Sequence, residues 1–120
     1  MKDRIRFISH KGKKILFADA SNLSGDELVR LSPLVLSRIT AEPRGSVLLL
    51  ADFSGSKVDK KSMEALKPAL VIDRPYLKRS AWVGTENLPK VFYEHLKSFS
   101  QRELPLFKTR EEAMDWLVED

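Results

Sequence analysis

The side chains best placed to do chemistry together lie between Asp52 and Lys57, in the order Asp-Phe-Ser-Gly-Ser-Lys. Residues 53–57 are called the Ser54 loop below. Its hydroxyls and backbone amides precede a predicted helix and stand beside Lys57, a combination that can hold an anion. A loop of this composition can also simply turn the chain.

Two carboxylates, Asp52 and Asp59, flank this loop. Acid–base catalysis would require surroundings that push their two pKa values apart, and the sequence shows no such asymmetry. Asp59 is better explained as a helix N-cap, and Asp52 as an acceptor for amides of the loop. No catalytic residue is predicted.

Histidine chemistry is limited to two side chains. His10 falls in a predicted hairpin turn and is expected to be exposed, whereas His95 lies on an apolar helix face as a boundary residue. The sequence contains no nucleophile elbow, phosphate-binding loop or dinucleotide fingerprint. Glu111, Glu112 and Asp115 suit a helix N-terminus and a solvated face, so neither a metal nor a cofactor is predicted.

Composition indicates one globular domain over residues 1–120, with 42% hydrophobic and 32% charged residues and no cysteine. No apolar run reaches the roughly 20 residues of a membrane helix, and no signal-peptide pattern opens the sequence. We expect a cytoplasmic protein without a transmembrane segment.

The net charge of +4 is unevenly spread. Residues 1–20 carry six basic and two acidic side chains, while residues 101–120 carry six acidic and three basic ones. A basic patch could meet phosphate, anionic lipid or an acidic protein. Alternatively, these are solvated charges on an exposed hairpin, where lysines discourage strand aggregation.

The strands are predicted from short apolar runs. Residues 47–51 are apolar without interruption, which indicates a strand buried on both faces in the middle of a sheet. Residues 4–9 and 13–18 should pair as an antiparallel hairpin through Gly12. Further short strands are predicted at 81–84 and, at a sheet edge because of its proline, at 104–107.

Four helices are predicted between these strands. The first opens with the capping-box spacing of Ser24 and Glu27, and Pro33 should kink it or divide it in two, with Ser32 capping the second part. The second begins after Asp59 and is interrupted by Pro68. The third follows residues 85–87, and the last begins after Thr109.

This order predicts an α/β fold with a mixed four- to five-stranded sheet. The N-terminal hairpin is antiparallel, and the later strands are parallel because each crossover carries one of about four helices.

Two patterns resemble the STAS domain in its SpoIIAA-like branch, which is also grouped with Sec14-type lipid-binding proteins. One is residues 47–52 leading to Val58 and Asp59 at a helix start. The other is residues 107–117, similar to that branch's closing pattern F-x-[TD]-x-x-E-A-x-x-W-L. The resemblance covers nearly the whole chain.

The resemblance implies no intrinsic catalysis, regulation through partners, and a possible lipophilic ligand between sheet and helices. In anti-sigma-factor antagonists of this superfamily, the serine after an aspartate matching Asp59 is phosphorylated. Here Lys60 and Lys61 follow Asp59, and Ser62 comes only afterwards. Because lysine cannot carry that phosphate, the anti-sigma activity is not transferred.

The function expected is therefore a non-enzymatic binding or regulatory module. Its partner is an unknown protein or a small lipophilic or anionic ligand, held near the carboxyl ends of the parallel strands. The candidate binding residues are Asp52, Phe53, Ser54, Gly55, Ser56, Lys57, Gly84, Thr85 and Glu86, with Met63, Leu66, Phe92 and Leu96 as candidate apolar walls.

Two alternatives belong to other classes. One is a small hydrolase or transferase acting at the Ser54 loop, with a carboxylate as base. The other is a binder of nucleic acid or anionic membranes through its basic surface. Nucleic acid is the less favoured partner, because no recognition motif accompanies the charge.

Overall fold

The computed structural model describes residues 1–87, 94 and 105–119. The strands in this part of the chain are β1 (Ile5–His10), β2 (Lys13–Asp19), β3 (Val47–Asp52), β4 (Leu77–Val83) and β5 (Leu106–Phe107). The helices are α1 (Gly25–Thr40), α2 (Lys60–Ile72) and α3 (Arg110–Leu117). Short 3₁₀ turns occur at Lys2–Arg4, Arg74–Tyr76 and Thr85–Asn87.

The strands form one five-stranded mixed sheet in the order β1-β2-β3-β4-β5. β1 and β2 are antiparallel, whereas β2, β3, β4 and β5 are parallel to one another. The predicted fold class, hairpin and parallel strands are confirmed. The two-residue β5 lies at the edge that its preceding proline predicted.

β3 is the central strand, and every one of its residues is buried. Val47, Leu49 and Ala51 join one hydrophobic cluster, while Leu48 and Leu50 join another. Since successive side chains of a strand point to opposite faces, β3 takes part in a separate core on each side. The unbroken apolar run of the sequence reflects this double burial.

The two cores are covered by different helices. Leu28, Leu31 and Ile39 of α1 and Leu70 of α2 pack on one face of the sheet. Ala113 and Leu117 of α3 pack on the other face. The domain therefore has three layers, and the carboxyl ends of β2, β3 and β4 lie at a common edge.

Helix capping follows the sequence closely. Ser24 caps α1 in a capping box with Glu27, and Asp59 caps α2 in a capping box with Ser62. Thr109 accepts a hydrogen bond from the Glu112 amide at the start of α3. Three of the four predicted helix starts are therefore confirmed.

The prediction that proline would break the first two helices is wrong, because α1 runs through Pro33 and α2 runs through Pro68. Ser32 therefore lies inside α1 and caps no second helix. Both prolines are exposed, while leucines on either side of each pack against the sheet. This packing outweighs the backbone hydrogen bond that each proline removes.

β4 begins at Leu77, four positions before the predicted start at 81, and ends at Val83. Its first residues, Leu77, Lys78 and Arg79, are not fully buried, so the uninterrupted apolar signal begins only at Ala81. The helix predicted after residues 85–87 lies outside the described residues from position 88 on.

Leu50→Ala should destabilise the domain by about 2–5 kcal/mol, because Leu50 is 0% exposed and its loss leaves a cavity in the core beneath α3. Urea denaturation monitored by circular dichroism measures this loss. Ile72→Ala is the control, since Ile72 is 50% exposed and its truncation should change stability by less than about 0.5 kcal/mol. Equal effects of the two substitutions would contradict the central position of β3.

Candidate functional site

The Ser54 loop leaves the end of β3 and is fixed between two neighbouring segments. The Asn22 amide donates to the Ser54 carbonyl at 2.8 Å, and the Lys57 amide donates to the Leu23 carbonyl at 2.8 Å. On the other side, the Phe53 amide donates to the Val83 carbonyl at 2.8 Å. The loop is therefore tied to the connection between β2 and α1 and to the end of β4.

Gly84 lies directly against this loop. Its φ angle is +73°, and a Cβ there would overlap the hydroxyl and backbone of Ser54. Thr85 and Glu86 follow in a 3₁₀ turn, with Thr85 half-buried and Glu86 exposed. The structure thus brings Gly84 to the Ser54 loop, as expected from the carboxyl ends of neighbouring parallel strands.

Several loop donors are already used inside the protein. The Ser54 amide donates to Asp52 Oδ1 at 2.8 Å, and the Ser56 amide donates to the Phe53 carbonyl at 3.0 Å. The buried Ser56 hydroxyl also donates to the Phe53 carbonyl, at 2.7 Å. These bonds fix the loop's shape, and they leave Ser54 and Lys57 as its exposed polar side chains.

Asp52 is a buried carboxylate with partners on both oxygens. The Ser54 amide binds Oδ1, and Arg110 Nε donates to Oδ2 at 2.6 Å. Burial by itself would raise the pKa of Asp52, but hydrogen bonds from the Ser54 side chain and amide, together with Arg110, outweigh burial and lower this pKa. Asp52 therefore remains ionised and anchors the start of α3 to the sheet.

This environment argues against Asp52 as a catalytic base for Ser54. A carboxylate whose pKa is lowered and whose charge is paired with arginine is a weak proton acceptor at neutral pH. Asp59, the other carboxylate near the loop, caps α2 through the Ser62 amide at 2.8 Å. Among the described residues, neither carboxylate that flanks the loop in the sequence is therefore placed to activate a loop serine as the hydrolase alternative requires.

His10 is paired with Asp115, and the expectation of a plain exposed histidine is wrong. Its Nε2 lies 2.7 Å from Asp115 Oδ1, and its side chain is 20% exposed. His10 pairs with Lys13 at the start of β2, so it stands at the opposite end of the strands from the Ser54 loop. His95 lies outside the described residues.

The basic N-terminal segment and the acidic C-terminal helix meet in the structure. Lys11 also pairs with Asp115, at 3.0 Å, and Lys13 Nζ donates to the Val118 carbonyl at 2.9 Å. Arg79 Nη1 donates to the Trp116 carbonyl at 2.7 Å. Cations near the last carbonyls of a helix stabilise its C-terminus. Some of the basic residues near the N-terminus of the chain therefore hold α3 in place.

Ser62 is fully buried in the capping box of α2. Its hydroxyl accepts from the Asp59 amide at 2.9 Å and donates to the Asp59 carbonyl at 3.0 Å. In the sequence, Lys60 and Lys61 separate Ser62 from Asp59. In this fold a kinase would have to unfold the start of α2 to reach it.

An apolar cavity of about 80 Å³ lies between α1, α2 and the sheet. Leu66, one of the candidate walls, lines it, whereas Met63 is buried in the same hydrophobic cluster without appearing in the lining. Phe92 and Leu96 lie outside the described residues. The full lining is Ala18, Ala20, Leu28, Leu31, Ser32, Val35, Leu36, Ile39, Leu49, Ala51, Phe53, Leu66, Ala69, Leu70, Asp73 and Trp82.

Phe53 belongs to both features of this region. Its ring lines the cavity and packs against Trp82, with ring centroids 5.0 Å apart, while its backbone begins the Ser54 loop. Sequence reasoning placed Phe53 only in the loop and overlooked the α1 wall. The helical spacing of Leu28, Leu31, Val35 and Ile39 is the sequence signal for this wall, because it marks the apolar face of α1.

Other classes of site find no support among residues 1–87, 94 and 105–119. There, no group of three or more histidine, aspartate or glutamate side chains could hold a metal ion. The same residues contain no helix long and apolar enough to cross a membrane.

The sequence matches no family model and no curated protein. Among solved structures, the chain is similar to an uncharacterised protein of the DUF3478 family with a SpoIIAA-like fold, from Shewanella loihica PV-4. The likeness has a TM-score of 0.70 and 17% sequence identity, and it covers 94% of this chain and 91% of that one. The protein therefore has a SpoIIAA-like fold, as the two sequence patterns indicated.

Asp52→Asn should destabilise the domain at pH 7 by about 1–3 kcal/mol, because Arg110 loses a charged hydrogen-bond acceptor. The folded-state pKa of Asp52 is lowered, so its stabilisation is complete above the unfolded-state pKa of about 4 and is lost as pH falls further. Urea denaturation between pH 7 and pH 3 should show a smaller acid-induced loss in Asp52→Asn than in the wild type.

The matched control for this pH series is Asp26→Asn, because Asp26 pairs with Lys61 on the surface and its side chain is 71% exposed. Its stability should follow the wild type throughout. If Asp52→Asn also follows the wild type, Asp52 is not an ionised anchor of α3.

Gly84→Ala should destabilise the domain more than Gly45→Ala. Both glycines have a positive φ angle, +73° and +72°, so alanine costs about 1–2 kcal/mol at either position. Only at Gly84 would the new Cβ also overlap Ser54, since nothing lies within 4 Å of it at Gly45. We expect about 1–3 kcal/mol of additional loss in thermal or urea denaturation, and equal losses would contradict the contact.

Proposed function

We propose that this protein is a non-enzymatic binding module that takes a small apolar group into the cavity between α1, α2 and the sheet. The cavity itself carries the proposal, because it lies in the layer where the SpoIIAA-like resemblance implies a lipophilic ligand. Apolar walls with few polar atoms favour a hydrocarbon group over a polar metabolite.

The walls define the chemistry of the occupant. Leucine, isoleucine, valine, alanine and aromatic side chains form most of the lining, and Ser32 and Asp73 are its polar members. An engineered apolar cavity of about 150 Å³ binds benzene, which shows that walls of this composition can hold a small hydrocarbon group. At about 80 Å³, this cavity suits a shorter group, such as the end of an acyl chain.

Binding at this position would be transmitted to the surface through Phe53. Its ring faces the cavity and its backbone begins the Ser54 loop, which is hydrogen-bonded to neighbouring segments on both sides. A group that displaces the Phe53 ring would therefore alter the exposed loop. This link makes the Ser54 loop, with Gly84, Thr85 and Glu86, the proposed surface for a protein partner.

The first experiment uses Trp82 as the reporter. Trp82 lines the cavity and the second tryptophan, Trp116, packs in the other core, so Trp116→Phe isolates the signal. Titration with hexanoic and decanoic acids should produce a saturable change in Trp82 fluorescence. Mass spectrometry of the protein purified from its host should also detect an apolar molecule.

The second experiment fills the cavity by Ala69→Leu, which adds an apolar side chain to its α2 wall. Ala65→Leu is the control, because Ala65 is a half-buried α2 residue outside the lining. We expect Ala69→Leu to abolish the Trp82 response and Ala65→Leu to retain it. A more stable Ala69→Leu variant, with no fatty-acid response in any variant, would mean that the cavity is only a packing void.

A further inference from the structure

β1 forms an outer edge of the sheet, and its backbone presents a regular set of open hydrogen-bonding groups. Lys11 and Gly12 have φ angles of +50° and +81°, which is a two-residue type I′ turn. The turn makes His10 and Lys13 a hydrogen-bonded pair, and such pairs alternate along an antiparallel ladder. Ile5, Phe7 and Ser9 therefore direct their backbone groups away from β2.

One contact supports this orientation. Arg38, near the end of α1, reaches the outer side of β1 and donates from Nη1 to the Ile5 carbonyl at 3.5 Å. Among the described residues, no strand pairs with β1 on that side. The amides of Phe7 and Ser9 thus form the accessible part of the edge.

Cations stand on both faces of this edge. On one face, Arg38 Cζ lies 5.4 Å from the centre of the Phe7 ring, and Lys14 Nζ, which is paired with Glu42 at 2.8 Å, lies 4.3 Å from it. On the other face, the exposed Arg6 stacks over Phe17 at 4.9 Å. Within the described part of the chain, neither Arg6 nor Arg38 forms an ion pair.

We propose that the β1 edge, formed by Ile5, Phe7, Ser9 and the cations Arg6 and Arg38, binds an acidic extended segment of a partner protein as an added strand. Main-chain hydrogen bonds would provide the affinity, and acidic residues pointing to either face would meet Arg6 or Arg38. The half-buried Phe7 ring offers an apolar contact for residues between the acids.

Charge selects this occupant over a second copy of the chain. If the β1 edges of two copies paired, Arg6 and its neighbouring cations would face the same cations of the other copy. Like charges on neighbouring strands are destabilising. An acidic strand turns this repulsion into attraction. Nucleic acid would also be attracted to the cations, but it has no extended peptide backbone that could pair with the alternating amides of β1.

The proposal is tested with a fluorescent peptide in which glutamate alternates with valine and threonine. We expect binding that weakens with salt, and hydrogen exchange should show new protection of the Phe7 and Ser9 amides. The matched peptides keep the glutamates but carry proline instead of valine, or replace glutamate by lysine, and neither should bind.

Variants of the protein distinguish the contribution of the backbone amides to binding from that of the charged side chains. Ser9→Pro removes an outward amide on an exposed edge residue, where proline is tolerated, and Ser9→Ala keeps that amide. We expect about a tenfold loss of affinity for Ser9→Pro and none for Ser9→Ala. Arg6→Glu should also weaken binding, whereas Lys60→Glu, on the exposed start of α2, should not.

Four results would overturn the proposal. The first is that the glutamate peptide does not bind at low salt, and the second is that the proline-containing peptide binds equally well. The third is that single-stranded DNA binds more tightly than the peptide, with an affinity that Ser9→Pro does not change. The fourth is a concentration-dependent dimer that protects the Ser9 amide without peptide, which would assign the edge to a second copy.

Discussion

The structure depends on the burial of β3 from both sides. All six of its residues are buried, and its alternating side chains enter two different cores. A strand in this position requires a neighbour on each edge and a helix on each face, which is what the rest of the chain supplies. Because β3 cannot shift without disturbing both cores, the loop that follows it leaves from a fixed point.

Hydrogen bonds and ion pairs of charged side chains supplement the apolar packing, chiefly at α3. This helix contributes few buried side chains, and it is held at its start by Arg110 and Asp52 and near its end by Lys13 and Arg79. The Asp52 carboxylate is buried with both oxygens paired, so this contact fixes direction as well as adding stability. Lys13 of the basic N-terminal segment thus has a structural role in holding α3.

The two proposed binding regions lie on separate parts of the domain and use different physics. The cavity beneath α1 and α2 offers apolar surface, whereas the β1 edge offers backbone amides and positive charge. The carboxylate nearest to the central loop, Asp52, has a lowered pKa and is paired with Arg110, and the Ser56 hydroxyl donates to the Phe53 carbonyl. The two proposals therefore assign to one SpoIIAA-like fold two independent sites of recognition.

The sequence alone determined the double-sided central strand, the hairpin at Gly12 and the caps at Ser24, Asp59 and Thr109, because each depends on neighbours within a few residues. The sequence did not predict the features that depend on packing between segments far apart in the chain. α1 and α2 continue through Pro33 and Pro68 because the sheet holds both halves of each helix, and His10 meets Asp115 across 105 positions. The cavity and the Asp52–Arg110 pair likewise join elements far apart in the chain, so only the tertiary structure could place them.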